Sequence, residues 1–154
     1  MRHLIFAIAA LIAVICMAFT TGAFAAPYGV LTVSDNSVTV YDASTVQRTG
    51  DMIKVWNYTV YRVPPAPNSN VDVAAAYDEM DCKNLRTRTL ILRAIDANNE
   101  PVGETRGVTE WTYYSSTQVG GYKIKTICTM GTDLLGDRLT INEVLNSMRE
   151  TLRK

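Results

Sequence analysis

Short runs of β-branched and aromatic residues, separated by polar turns, form the clearest hydrophobic pattern in this chain. Gly29–Val33 and Val38–Tyr41 flank a polar turn, which predicts a β-hairpin. The longer run Met52–Arg62 predicts a strand that places the rings of Trp56 and Tyr58 on one face. Aromatic side chains at this spacing are more often core than a stacking platform for bases or sugars. The pattern indicates a mostly β domain.

The best strand candidate is Leu85–Ile95, which lacks Gly and Pro and is rich in Thr, Leu, Ile and Arg. Strict alternation places Arg86 and Arg88 on one face and Arg93 on the other, so that both faces are mixed. We expect this strand to be exposed near its start and buried on both sides near Ile91.

The segments around that strand complete the predicted sheet. Ala74–Met80 is predicted to be its antiparallel neighbour, although a helix over Val71–Tyr77 is an alternative because Ala is a strong helix former. The proline-rich Val63–Asn70 is predicted to be a surface loop, and Pro101–Thr109 is predicted to be a weaker strand at or near an edge.

Two helices are predicted at the C-terminal end. The first begins near Val119 and ends at Gly131, and Gly120 and Gly121 are expected to weaken its first turn. A loop over residues 132–138 follows. The second helix begins at a capping box formed by Thr140 and Glu143. Its apolar stripe comprises Ile141, Val144, Leu145, Met148 and Leu152.

The first residues predict export. Arg2 and His3 precede an apolar run, and Ala23-Phe24-Ala25 fits a signal-peptidase site. We therefore expect a signal peptide over residues 1–25 and a single secreted β-rich domain over residues 26–154, in which 130–154 is a helical extension and no transmembrane segment remains. An uncleaved anchor helix is the alternative, but the apolar run is short for a membrane span.

Charge narrows the classes of partner. Without Arg2 and His3, 14 basic side chains (15 minus Arg2) face 15 acidic ones, and the domain has no histidine. Nucleic acids select a clear basic excess, so a nucleic-acid partner is not expected. The lack of histidine excludes Ser-His-Asp and Cys-His mechanisms and imidazole metal sites from this domain.

Two cysteines, Cys82 and Cys128, remain after removal of the predicted signal. In an oxidising compartment such a pair is most simply a disulfide, and a pair of buried free thiols is the alternative. A redox role is not favoured, because reactive pairs are usually close in sequence.

Few other side chains suggest chemistry. Asp78, Glu79 and Asp81 could form a hydrolytic pair or a calcium site, but a solvated strand end explains them as well, and their spacing matches no calcium loop. Lys83, Arg86 and Arg88 are a candidate surface for an anionic ligand, with a charged strand edge as the alternative. No cofactor motif is present, and we predict a protein that is not an enzyme.

Several segments, in this order, resemble the surface-adhesin protein E family of bacterial envelope proteins. They are Val40-Tyr41-Asp42, Arg48-Thr49-Gly50-Asp51, Val55-Trp56, Tyr77-Asp78, Asp81-Cys82-Lys83-Asn84 with Arg86 and Arg88, Trp111 and Cys128. The resemblance implies an α+β fold: one curved antiparallel sheet, a helix tied to it by a Cys82–Cys128 disulfide, and here a further C-terminal amphipathic helix. It also implies binding of host matrix and plasma proteins, with a homodimer as an option.

The chain departs from that family in two respects. The adhesin that names the family is a surface lipoprotein, whereas Cys16 here follows a bulky Ile15 inside the apolar run, a poor context for lipid attachment. The helix after Gly131 also extends beyond the family's usual end.

Two hypotheses about function follow. The first is an exported, non-enzymatic cell-envelope binding protein, adhesin-like, that recognises a protein or polysaccharide of the host or environment. The second is a periplasmic accessory protein that docks to another envelope protein through the stripe from Ile141 to Leu152. The first predicts a location at the surface or outside the cell, and the second a location in the periplasm.

Overall fold

The computed structural model describes residues 28–66, 69–130 and 139–154. The predicted signal peptide over residues 1–25, the loop predicted over 132–138 and part of the proline-rich loop lie outside the described residues.

Eight strands of the described chain form one antiparallel sheet. They are β1 (Tyr28–Val33), β2 (Ser37–Asp42), β3 (Gln47–Thr49), β4 (Met52–Tyr61), β5 (Val73–Asp81), β6 (Arg86–Ile95), β7 (Pro101–Arg106) and β8 (Thr112–Tyr113). Their order is β1-β2-β4-β5-β6-β7, with β3 paired to β4 and β8 paired to β6. The sheet curls into a half-barrel, and register shifts in β1, β6 and β7 are the kind of bulge that adds local twist.

Two helices cover opposite faces of this sheet. The first, α1 (Val119–Met130), packs Ile124 and Ile127 onto a core of side chains from the outer strands and from β4 and β5. That core contains Leu31, Tyr41, Ala43, Ile53, Val55 and Met80. Because alternate residues of a strand point to opposite faces, the neighbours of Ile53 and Val55 in β4 point away from α1.

The second helix, α2 (Ile141–Arg153), begins at the predicted capping box, in which Thr140 Oγ1 accepts from Glu143 N–H. Its apolar stripe packs on the other face of the sheet, against Val38, Val40, Val60, Val73, Ala75 and Ile95. This stripe belongs to the protein's own core, so it is not the free docking surface that the accessory hypothesis considered.

The predicted β-hairpin, the long strand β4 and both helices are confirmed. Ala74–Met80 lies within β5, so the helical alternative over Val71–Tyr77 is wrong. The predicted edge strand is also confirmed as β7, but it ends at Arg106 rather than Thr109. The buried environment expected on both sides of Ile91 is not found: Ile91 is half-buried and Leu92 is 42% exposed.

The paired glycines of α1 permit close packing. A side chain at Gly120 would overlap the ring of Tyr114, and one at Gly121 would overlap the backbone carbonyl of Ser115. Gly120 and Gly121, which were expected to weaken the first turn, therefore allow the helix to pack closely against the segment before it. Helix propensity does not account for this packing.

Candidate functional site

A bulge in β6 determines which side chains share the open face of the sheet. Asp78 of β5 pairs with Thr89, whereas Tyr77 pairs with Ile91, so Leu90 is the extra residue in β6. A one-residue shift moves all later side chains to the opposite face. Strict alternation along β6 is therefore wrong, and Arg93 points to the same face as Arg86 and Arg88.

The resulting surface, which we call the cation–aromatic face, lies beside α2 on the side of the sheet opposite α1. It consists of Lys54, Trp56, Tyr77, Glu79, Asp81, Arg86, Arg88, Arg93 and Trp111. Trp56 also packs against the core beneath α2, so the face continues directly from that core.

Two arginines of this face are held by carboxylates of the neighbouring strand. Arg86 Nε lies 2.9 Å from Asp81 Oδ2, and Arg88 Nε lies 2.6 Å from Glu79 Oε2. Both carboxylates are shielded, with side chains 6% and 11% exposed, whereas the arginine side chains are 27% and 32% exposed. The guanidinium groups are thus fixed from below while part of each remains accessible to solvent.

Trp111 stacks on both of these arginines. The Cζ atoms of Arg86 and Arg88 each lie 4.6 Å from the centre of its indole ring. Arg86 also donates from Nη1 to the hydroxyl of Tyr113, 3.0 Å away. Cation–π contacts of this kind contribute ~0.5–1 kcal/mol at exposed sites. They attach the segment that contains β8 to the face and restrict the rotamers of both arginines.

Arg93 forms a second cation–aromatic contact. Its Cζ atom lies 5.0 Å from the ring centre of Trp56, which in turn lies 5.3 Å from that of Tyr77. Its carboxylate partner is Glu104 of the edge strand, with Nη2 and Oε2 2.7 Å apart. Because the two side chains are 41% and 51% exposed, this is the pair that an incoming ligand can most readily replace.

Lys83, the third residue of the predicted binding surface, lies in the exposed turn between β5 and β6. Its backbone N–H donates to Asp81 Oδ1, 3.2 Å away, and its side chain is not part of the cation–aromatic face. The sequence did not predict that Arg93 and Trp111 belong to this surface, because nothing in it marks the bulge at Leu90 or the stacking of Trp111.

The predicted acidic cluster is divided between the two faces. Glu79 and Asp81 share the cation–aromatic face, as alternation predicts, whereas Asp78 points towards the α1 side. Asp78 accepts from Thr89 Oγ1 at 2.7 Å and from Asn57 Nδ2 at 2.8 Å. Burial raises the pKa of Asp78, and these hydrogen bonds together with the charge of Lys123 oppose the rise. The three carboxylates therefore do not converge on one ligand.

Asp81 has the opposite electrostatic environment. The hydrogen bond from the Asn84 side chain is the largest cause that lowers the pKa of Asp81, and Arg86 adds to it. Within the described ranges, no group of three or more histidine, cysteine, aspartate or glutamate residues is placed to hold a metal ion.

A disulfide connects the start of the β5–β6 turn to α1. Cys82 and Cys128 are bonded, with their Cα atoms 5.8 Å apart, so the alternative of free thiols is wrong. Arg48 of β3 donates from Nη2 to the carbonyl of Cys128 at 3.0 Å. The helix is thus attached to the sheet near the end at which Arg86 begins β6.

The arrangement combines charged donors and acceptors with aromatic rings on one open surface. Four cations (Lys54, Arg86, Arg88, Arg93) face three carboxylates (Glu79, Asp81, Glu104), and the planar guanidinium groups alternate with flat aromatic rings. Such a surface can accept carboxylate, sulfate or phosphate groups through N–H donors and can stack against planar or sugar groups. Among the residues that the structure describes, no helix is long and apolar enough to span a membrane.

Comparison with known proteins gives a family match for this chain. The profile of the surface-adhesin protein E family matches residues 29–129, which is more than half of the chain and includes both cysteines and the whole cation–aromatic face. No curated protein and no solved structure matches the chain. The family match identifies the chain as a member of the surface-adhesin protein E family.

Proposed function

We propose that this protein is an exported, non-enzymatic cell-envelope binding protein, adhesin-like, that recognises host or environmental macromolecules through the cation–aromatic face. The observation that carries the proposal is the open row of three arginines, each stacked on a tryptophan ring, two of which are also held by buried carboxylates. Fixing these side chains in advance reduces the entropy lost on binding, which favours a recognition surface. Family membership and the disulfide support export and a surface or envelope location.

Binding of the purified protein to immobilised matrix proteins, plasma proteins and acidic or neutral polysaccharides tests this proposal. The variant Arg88→Gln/Arg93→Gln removes two guanidinium groups from the face. Lys125→Gln/Lys154→Gln removes the same charge from exposed positions in α1 and at the end of α2, outside the face. We expect at least tenfold weaker binding for the first variant and near-normal binding for the second. If no panel member bound, or if both variants lost affinity equally, the proposal would be wrong.

Location distinguishes this proposal from a periplasmic accessory role. We expect a signal peptide over residues 1–25 to be removed, and a C-terminal tag to be digested by protease on intact cells or recovered from the medium. Protection of the tag until the outer barrier is broken would favour the accessory role. Sedimentation of the purified protein tests the homodimer that the family resemblance implies.

A further inference from the structure

A second cationic feature lies away from the cation–aromatic face, where the last turns of α2 meet the end of β4 and the loop after β6. A cavity of about 130 Å³ opens there, and its lining includes the side chains of Arg62, Arg149 and Arg153 together with Asp72. Ligand pockets for drug-sized molecules are usually ~300–1,000 Å³, so this cavity fits a single small group.

Arg149 is the fixed base of this cavity. Its side chain is 10% exposed, and its Nε lies 2.6 Å from Asp72 Oδ2. Nη1 donates to Asn99 Oδ1 at 2.9 Å, and Nη2 donates to the carbonyl of Asp96 at 3.3 Å. One N–H of Nη2 therefore has no hydrogen-bond partner among the described residues, while the charge of Arg149 is balanced by Asp72.

The positive charges of Arg62 and Arg153 are not balanced by a carboxylate among the described residues. Within residues 28–66, 69–130 and 139–154, no carboxylate lies within 4.0 Å of the Arg62 or Arg153 guanidinium group, and neither group makes a hydrogen bond. Three arginines against one aspartate leave two positive charges at a cavity too small for a large ligand. Elsewhere in the described chain, Arg86, Arg88 and Arg93 each have a carboxylate partner, and Arg48 donates to the carbonyl of Cys128. Arg106 of the edge strand has no carboxylate partner among the described residues, but it does not line this cavity.

We propose that this cavity binds one tetrahedral oxyanion, a phosphate or sulfate group, either free or carried by a larger molecule. The three arginines that line the cavity carry the forked N–H donors that such an anion accepts. Asp72 is kept from repelling the anion by its ion pair with Arg149. Nearby Asp96 is likewise engaged, because it accepts from the backbone N–H groups of Asn98 and Glu100 at 2.8 and 2.9 Å.

Titration of the purified protein with sodium phosphate and, separately, sodium sulfate tests this site, at ionic strength held constant with sodium chloride. Backbone amide NMR signals of Arg62, Asp72 and Arg149 should shift and saturate. Arg62→Gln/Arg153→Gln should weaken the apparent affinity at least tenfold. Both residues are exposed, so circular dichroism should show an unchanged fold. The control Arg106→Gln/Lys125→Gln, with the same change in charge, should bind normally.

Phenyl phosphate and a sulfated monosaccharide distinguish the sources of the anion. Equal affinity for free and carried groups identifies a small-ion site, and at least tenfold tighter binding of a carried group identifies a larger ligand; either result supports the proposal. Shifts that rise linearly without saturation, or that the Arg62 and Arg153 substitutions leave unchanged, would show only two solvated arginines and overturn it.

Discussion

Asp78 and Asp81 lie three positions apart in β5, but they experience opposite environments on the two faces of the sheet. Asp78 is buried on the α1 side and accepts from the neutral groups of Thr89 and Asn57. Asp81 is on the open side, where Asn84 and Arg86 donate to it. The face that α1 covers thus retains a carboxylate whose pKa is raised, whereas the open face pairs Lys54, Arg86, Arg88 and Arg93 with carboxylates. The difference supports the proposal that the open face, rather than the face covered by α1, meets a ligand.

The largest effect is expected from loss of the disulfide, which should destabilise the side of the sheet that α1 covers. The bond spans 46 positions, for which the loop-entropy model gives about 4 kcal/mol. We expect Cys82→Ser/Cys128→Ser to lower the free energy of unfolding in urea by up to that amount. Hydrogen exchange should accelerate in α1 more than in α2, which has no covalent link. Equal acceleration in both helices would contradict a role restricted to the side of the sheet that α1 covers.

Trp111→Ala should lower the free energy of unfolding by a smaller amount, through contacts on the cation–aromatic face. It removes the indole ring from Arg86 and Arg88, and each lost contact contributes ~0.5–1 kcal/mol. We expect the free energy of unfolding to fall by ~1–2 kcal/mol. The NMR signal of the Trp56 indole N–H should remain almost unchanged. Trp111→Phe, which keeps a ring, should recover part of the loss.

The pH dependence of the variants Asp78→Asn and Asp81→Asn should differ in sign. The pKa of Asp78 is raised by burial, so its ionisation destabilises the fold as pH rises from the ordinary value of 3.8 through the folded value. Asp78→Asn should remove this loss, because the amide keeps an oxygen that accepts from Asn57 Nδ2 and can donate from its Nδ2 to the hydroxyl oxygen of Thr89.

Asp81 should behave in the opposite way. Its pKa is lowered, chiefly by Asn84, so it stabilises the fold above pH 3.8, and this contribution is lost as pH falls through the folded value. Asp81→Asn should therefore destabilise the protein at pH 7 and have little effect in acid. Urea unfolding from pH 3 to 7 measures both variants, and parallel profiles would refute the contrast.

The smallest energetic effect is expected for the exposed ion pair between Arg93 and Glu104. The coupling between Arg93 and Glu104, measured by a double-mutant cycle with Gln at both positions, should be below ~1 kcal/mol because both side chains are well exposed. A much larger value would show that this pair is structural and is not available to a ligand.

Local patterns predicted most of the fold. Runs of β-branched residues marked β1, β2 and β4, the Thr140–Glu143 capping box marked the start of α2, and the two remaining cysteines indicated the disulfide. The composition of the cation–aromatic face was only partly predictable. Arg86 and Arg88 were identified, but a bulge depends on how two strands pair.

Long-range contacts explain the remaining differences. Arg93 joins the face only because Leu90 is skipped in the register with β5. Trp111 reaches β6 from a segment that carries a two-residue strand, which no periodicity reveals. Lys83 was included because it is close in sequence, although it lies in the turn.

The most direct test of the cation–aromatic face uses the only two tryptophans of the chain, Trp56 and Trp111, because both lie on it. Their two indole N–H signals can be followed by NMR while a macromolecule that binds in the panel is added. We predict that both signals shift and saturate at the affinity measured independently, and that Arg88→Gln/Arg93→Gln weakens this response. A ligand that binds tightly while both indole signals stay unchanged would show that recognition occurs elsewhere on the protein.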